Sequence, residues 1–463
     1  MTQLTFWGAT GTVTGSRYML ELPGANVLID CGLFQGSKSN RVRNWEAFPY
    51  PPDKIDTILL THAHIDHTGY LPRLCKNGFS GTIYCTRATH DLCEIMLKDS
   101  AHLQEEEAYW ANKKGTSKHK PALPLYTVED AETVIKHLSP LYYEDDLHLT
   151  EQYRAKFRDA GHVLGSAFID IKTRRGQPSR KVLFSGDLGR PDKAILNDPV
   201  QVYNVDYLII ESTYGDRLHN DGTPDEELAR VINESVERGG VLVVPSFAVG
   251  RAQTLLYDIR ELEEKGKIPV LPIYVDSPMA GDATKVFENY LADLDMASRV
   301  LTLQGKKVFR PQGTHLCRTR PQSKEINEIH DRAIIISSNG MATGGRILHH
   351  LQQRLPDPKN TILFTGYQAE GTRGRAIIEG EPSVKIYGDH VQIRAKIEKI
   401  SGSGHADYNE ILAWLMGFNR PPEKTFVVHG ETESSQALAE KIRKQFGWEV
   451  VVPNFGESFD LNI

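Results

Sequence analysis

His62-Ala-His64-Ile-Asp66-His67 places four potential metal ligands within six residues, directly after the apolar run Thr57-Ile-Leu-Leu-Thr. Imidazole nitrogen and carboxylate oxygen are the donors zinc accepts where thiolates are absent. In a loop, residues two apart can aim two imidazoles at one ion. Asp66 and His67, at the start of a helix expected from Thr68-Gly-Tyr-Leu-Pro-Arg-Leu, can turn toward a second ion. Left without metal, a buried cluster this dense would be unsatisfied and self-repelling.

The strand that delivers this loop has counterparts. Asn26-Val-Leu-Ile-Asp30, Lys181-Val-Leu-Phe-Ser-Gly-Asp187, Tyr207-Leu-Ile-Ile-Glu211 and Thr425-Phe-Val-Val-His429 are also short aliphatic runs that end in a polar, potentially reactive residue. Such runs read as buried strands, and in α/β sheets sites form at strand carboxyl ends. Four of the five lie in the first half of the chain and the fifth near its end, so one domain is expected to be assembled from both ends. Between Glu211 and about residue 375 the texture becomes an alternation of strand-like and helix-like segments. That alternation predicts a parallel, helix-covered sheet inserted into the first domain. The expected divisions are 1–211, 212–375 and 376–463. Residues 98–140 read as helical and charged, with a Lys-rich solvated connection at 113–120.

Gly8-Ala-Thr-Gly11-Thr-Val-Thr-Gly15 resembles a dinucleotide-binding loop, but such a loop must open into a helix. Here Tyr18, Leu20 and Leu22 alternate as in a strand, so a glycine turn within a hairpin is the better reading. The 463 residues suit two domains. With 40% hydrophobic and 25% charged residues the composition is that of a folded soluble protein. No apolar run approaches the ~20 residues of a membrane span. Five cysteines without a CxxC pair argue against a disulfide framework or a thiolate zinc site; together with a start unlike a signal peptide they predict a cytoplasmic protein. A net charge of −6 is not that of a general nucleic-acid coat, so any attraction to RNA must be local.

The HxHxDH stretch at 62–67 resembles that of the metallo-β-lactamase superfamily, and the resemblance continues in chain order. Asp30 corresponds to a structural Asp, His162 in Asp159-Ala-Gly-His162-Val-Leu-Gly-Ser to the third motif, and Asp187 to a bridging carboxylate. Glu211-Ser-Thr-Tyr-Gly-Asp, Ser401-Gly-Ser-Gly-His405-Ala-Asp and Val427-Val-His429-Gly-Glu resemble the three extra motifs of the β-CASP branch, which contains RNA- and DNA-processing nucleases. The chain looks closest to bacterial and archaeal relatives of the endonuclease that cleaves pre-mRNA 3′ ends. Gly404 departs from the Ala that relatives commonly carry before the His.

The resemblance implies an α/β fold, a metallo-β-lactamase αββα sandwich with an inserted βαβα domain. It implies two Zn2+ ions, one with His62, His64, His162 and Asp187, the other with Asp66, His67, Asp187 and His429. His64, where di-iron relatives have Glu, favours zinc. Adjacent ions can lower the pKa of a water from ~15.7 toward neutrality; Asp66 joins the catalytic group beside its ligand role. His405 would protonate the leaving oxygen, with Glu211 holding it charged. His429, rather than the Val of DNA enzymes, favours RNA. The implied activity is endonucleolytic hydrolysis of single-stranded RNA. A small-molecule thioesterase or lactamase would need neither His405 and Glu211 nor an inserted domain, and a dead scaffold would have lost ligands. Two glycine-rich turns are candidate phosphate sites: Ser337-Ser-Asn-Gly-Met-Ala-Thr-Gly-Gly-Arg346, with Ser338, Gly340 and Arg346, and Gly371-Thr-Arg-Gly-Arg375, with Arg373. No protein partner is indicated, and self-association stays open.

Overall fold

A computed structural model describes residues 2–173, 179–219, 224–400 and 402–463. The chain divides into two compact units. One comprises 1–35, 39–218 and 405–463, the other 36–38 and 219–404.

The first unit is built on two seven-stranded sheets. Thr2–Phe6 and Tyr18–Leu22 pair antiparallel, with Phe6 opposite Tyr18. The glycine stretch between them is therefore a turn, as the alternation predicts. Ala25–Ile29, Thr57–Leu59 and Thr82–Thr86 follow as parallel neighbours in the same sheet. In the second sheet, Lys181–Phe184, Tyr207–Glu211 and Lys424–Val428 lie parallel side by side. Their period-2 pattern explains why they read as continuous apolar runs. Val182, Phe184, Tyr207, Ile209, Phe426 and Val428 face a core shared with Leu4, Phe6, Leu20 and Ile29 of the first sheet. The intervening Leu183, Leu208, Ile210 and Val427 pack with Ile411, Leu415, Leu438 and Ile442 of the helices Tyr408–Leu415 and Thr432–Phe446. The first sheet is covered by the helix Arg87–Lys114, which packs on Thr82–Thr86 and Leu138–Leu141. These layers make an αββα sandwich. Truncating a ring such as Phe426 in the shared core would cost about 3–5 kcal/mol.

The second unit is centred on a six-stranded parallel sheet. Its order is Thr314–Leu316, Ile273–Asp276, Ala333–Ser337, Val241–Pro245, Thr361–Phe364 and Lys396–Lys399. Helices cover it on both faces, with Leu255, Leu256 and Ile259 on one and Ile347, Leu348 and Leu351 on the other. The unit extends past the expected limit of residue 375 because Lys396–Lys399 completes the sheet beside Thr361–Phe364. That edge strand, Lys-Ile-Glu-Lys, carries no apolar run that sequence reading could find. Among the described residues, no helix is long and apolar enough to cross a membrane.

Candidate metal centre and active site

Every residue expected to hold metal sits at or just beyond a strand end of the first unit. His62 and His64 follow Thr57–Leu59, and Asp66 and His67 ride on the short helical turn Ile65–Thr68. The loop is pinned through its backbone. Ser16 N–H donates to the Asp66 carbonyl (2.9 Å), Cys31 N–H to that of His67 (2.7 Å) and Leu33 N–H to that of Ile65 (2.9 Å). Gly32 must be glycine here, since a Cβ would lie 1.6 Å from the Asp66 carbonyl oxygen. Asp30 and His429 close their strands with φ of +58° and +50°. Such conformations are rare for non-glycine residues and concentrate at functional sites.

The ligand atoms form two groups. The ligand atoms offered by His62, His64, His162 and Asp187 all lie within 4.8 Å of one another, as do those of Asp66, His67 and His429. In the first group His62 Nε2 is 3.0 Å from His64 Nδ1 and 3.4 Å from Asp187 Oδ2, and His162 Nε2 is 3.5 Å from the same oxygen. In the second, His67 Nε2 is 3.2 Å from His429 Nε2, and His429 Nε2 is 3.5 Å from Asp66 Oδ2. Asp187 Oδ1 turns toward this second group, 3.3 Å from His67 Nε2. One carboxylate thus offers one oxygen to each group.

These residues fit metal. Nitrogens bound tetrahedrally at ~2.0–2.1 Å from zinc stand about 3.3 Å apart, close to the spacings above. Asp187 Oδ1 is buried and, among the described residues, accepts no hydrogen bond. Buried imidazoles brought nose to nose around a buried carboxylate are a costly arrangement without cations. Burial pushes the His62 pKa well below the usual range. Burial also opposes charge on His67, but the Asp187 and Asp30 carboxylates outweigh it and raise its pKa.

Threonines that sequence reading passed over orient the ligands. Asp30 Oδ1 accepts from Thr61 N–H and Oδ2 from the Thr61 hydroxyl, each at 2.8 Å, while His67 Nδ1 lies 2.8 Å from Oδ2. Thr213 Oγ1 lies 3.1 Å from His429 Nδ1. Such partners fix the ring tautomer of a metal-binding His. The only sequence signal was their position, one residue before His62 and two after Glu211.

His405 stands beside the first group. Its ring centroid is 4.5 Å from that of His162 and its Nδ1 3.7 Å from Asp187 Oδ2. Asp187, Glu211 and His405 make a further close group, but its Glu211 oxygens are otherwise engaged. Oε1 accepts from Leu188 N–H at 2.6 Å and Oε2 from Thr213 N–H at 3.3 Å, and both face His405 Nδ1. The residue after His405 is tied to the same segment, since Ala406 N–H donates to the Leu188 carbonyl at 2.8 Å. Burial acts to lower the His405 pKa, yet the Glu211 and Asp187 charges prevail and raise it to about 9. Ser401, which opens the quoted stretch, lies outside the described residues.

The candidate phosphate residues lie in the second unit and are differently employed. Arg346 donates to Asp276 Oδ1 (2.7 Å) and to the carbonyls of Cys317 and Arg318 (3.1 and 2.9 Å). Arg373 donates to the carbonyls of Lys385, Ala342 and Thr343. The Ser338 hydroxyl donates to Ser277 Oγ at 2.8 Å, and Gly340 packs on Phe247. The expected turn does lie between a strand and the helix Ile347–Arg354, but both guanidinium groups brace protein carbonyls. His350 is buried against Asp276, with Nε2 2.8 Å from Oδ2.

An αββα sandwich with a buried, bridged His/Asp set at its strand ends defines a class, the metal-dependent hydrolases. The comparisons carry this further. The metallo-beta-lactamase superfamily model matches residues 10–244, the Beta-Casp domain 252–377, and the Zn-dependent metallo-hydrolase RNA specificity domain 390–453. The chain belongs to the β-CASP branch of the metallo-β-lactamase superfamily. It is 38% identical to ribonuclease TTHA0252 of Thermus thermophilus over 456 residues, covering 97% of this chain and 98% of that protein. It is 32% identical to an RNase J-like protein of Methanocaldococcus jannaschii over 98% of each chain. It is 30% identical to transcription termination factor FttA of the same organism, over 97% of this chain and 70% of that one. A crystal structure of an Enterococcus faecalis protein of unknown function shares the fold, with a TM-score of 0.55 at 11% identity over 99% of this chain and all of the other.

Proposed function

We propose that the protein is a zinc-dependent ribonuclease that hydrolyses internal phosphodiester bonds of single-stranded RNA. The observation that carries this reading is His405. It stands against the His/Asp set, is held by a buried carboxylate, and lies outside both ligand groups. A thioester hydrolase, whose thiolate leaves readily, has little use for such a proton donor, whereas a phosphodiester expels a sugar oxygen that needs one. The names of the ribonuclease relatives and of the RNA specificity domain support the substrate class.

His62, His64, His162 and Asp187 would hold one zinc, and Asp66, His67, His429 and Asp187 the other. When bound, the pair supplies Lewis acidity and a water acidic enough to attack near neutral pH. The chain's own contribution is placement. Asp30 and Thr61 fix the His67 ring, and Thr213 that of His429. Asp66, whose pKa the His429 contact pulls down to about 2 against the effect of burial, stays a carboxylate and orients the nucleophile. His405, charged through Glu211, delivers its proton to the departing oxygen. The free thiols of Cys31, Cys75, Cys85, Cys93 and Cys317 support a reducing, cytoplasmic setting.

The deciding experiment incubates metal-loaded protein with 5′-labelled single-stranded RNA, with His405→Ala as control. Internal fragments from the wild type, strongly slowed in the variant, are expected. Release of 5′ mononucleotides alone would overturn the endonucleolytic part, and no cleavage at all would overturn the reading.

A further inference from the structure

The helix Arg87–Lys114 begins beside the site and ends far from it. At its start the Thr86 and Thr89 hydroxyls donate to the Gly165 carbonyl, at 2.6 and 2.8 Å, three residues after His162. Its buried side runs from Ala88 to Ala101, after which only Ala108 is buried. At ~1.5 Å per residue, the last turns lie roughly 30 Å along the axis from Thr89. There Tyr109 and Trp110 are 58% and 44% exposed, with ring centroids 5.3 Å apart. Lys113 Nζ stands 4.9 Å over the Trp110 ring and 5.8 Å over that of Tyr109, and Lys114 Nζ 5.9 Å over Trp110.

The charge here departs from that of the chain. Residues 108–121 contain Lys113, Lys114, Lys118, His119 and Lys120 and no acid, in a protein of net charge −6. The loop is closed back on the helix: Asn112 Nδ2 donates to the Ala122 carbonyl (2.9 Å), and Asn112 Oδ1 accepts from Ala122 N–H (2.7 Å). Three acids, Glu105, Glu106 and Glu107, come just before this stretch. Glu105 Oε1 accepts from Val128 N–H, and Glu106 Oε1 faces His102 one turn back. A helix end by itself favours lysines in its last turn, but gives no reason for two exposed aromatic rings beneath them.

We propose that Tyr109, Trp110 and Lys113, Lys114, Lys118 and Lys120 form a platform for unpaired RNA, gripping the strand away from the bond that is cut. The proposal rests on the ribonuclease reading. Exposed rings stack bases of any sequence, while lysines neutralise the backbone between them. An unpaired strand fits because its bases are free to stack, as those of a duplex are not. An anionic membrane would also attract lysines beside Trp110 and the exposed Leu123 next to Ala122, and is one outcome of the test.

The test uses the full chain, metal-loaded, with a long unstructured RNA and a dinucleotide as substrates. Tyr109→Ala/Trp110→Ala should raise KM for the long RNA by about 5–100-fold, with kcat and dinucleotide cleavage unchanged. Trp110→Phe should retain most of the affinity. Lys113→Gln/Lys114→Gln should flatten the log–log salt dependence of binding by ~0.7 per lost phosphate contact. Ultraviolet crosslinking of the long RNA should label the peptide holding Tyr109 and Trp110. Wild-type protein that cleaves long RNA with a KM matching that of the double alanine variant would overturn the platform and leave the ribonuclease reading standing. Wild-type protein that neither binds nor cuts RNA would overturn both. Loss of binding to anionic vesicles with RNA affinity intact would assign the patch to a membrane and overturn it as well.

Discussion

Glu211 presents both carboxylate oxygens to His405, with Nδ1 3.1 Å from Oε1 and 3.0 Å from Oε2. The carboxylate is fully buried and braced by the backbone N–H groups of Leu188 and Thr213, so it can neither swing away nor be solvated. A His so held is oriented and charged, which suits proton donation. General-acid help of this kind is worth ~10²–10⁴-fold in rate. His405→Ala should slow RNA cleavage by about that factor while metal content stays at the wild-type level. Hydrolysis of a nitrophenyl phosphodiester, whose leaving group needs no proton, should fall much less. Glu211→Gln should give a milder form of the same pattern. Loss of metal in His405→Ala would show it to be a ligand rather than an acid.

Asp187 faces both ligand groups, with Oδ2 toward His62 and His162 and Oδ1 toward His67. Metal-replete wild-type protein should contain two zinc ions per chain by elemental analysis. Asp187→Asn should carry fewer than one, because an amide offers no second anionic oxygen. His62→Ala should lose metal together with both RNA and nitrophenyl ester hydrolysis. Two zincs retained in Asp187→Asn would rule out the bridging role.

The parts legible in sequence were those where one residue type has few alternatives. Strands ending in Asp30, His62, Asp187, Glu211 and His429 could be read because each is buried on both faces and closes on a group that chemistry would place at a site. The hairpin through Gly8–Gly15 could be told from a nucleotide loop by the alternation of Tyr18, Leu20 and Leu22. What escaped reading was decided by tertiary contact. Arg346 and Arg373 look like phosphate ligands until the carbonyls they bind are seen. Thr61 and Thr213 acquire meaning only from imidazoles brought to them by the fold. Lys396–Lys399 pairs with Thr361–Phe364 and carries only one apolar residue, Ile397, so its side chains never announced a strand.

Substrate form gives a further check. A strand whose bases must stack on protein rings has to be unpaired, so the protein should cut single-stranded RNA faster than a matched duplex. Equal rates on the two would contradict the proposed substrate. Because the chain is acidic overall and the proposed contacts to RNA rest on a few lysines, KM should rise with salt, measurable as initial rates between about 50 and 200 mM salt.

Asp276 provides a test in the second unit. It is fully buried at the end of Ile273–Asp276 and accepts from Arg346 (2.7 Å), Ser323 (2.6 Å) and His350 (2.8 Å). Burial would raise its pKa, but these hydrogen bonds, that of His350 foremost, hold it below the ordinary value. A carboxylate whose folded pKa is depressed contributes stability that is fully present above its unfolded pKa of ~3.9 and is lost as pH falls through the folded value. Asp276→Asn leaves Arg346 without its anion and should cost about 3 kcal/mol near neutral pH. Its urea midpoint should be lower than that of the wild type at pH 7, and the gap should narrow as pH drops below about 4, where the unfolded carboxylate takes up its proton, and on through the lower folded value. Zinc content should not change, since Asp276 offers nothing to either ligand group. A variant with the wild-type midpoint at pH 7 would show that the Asp276–Arg346–His350 cluster does not hold the second unit together.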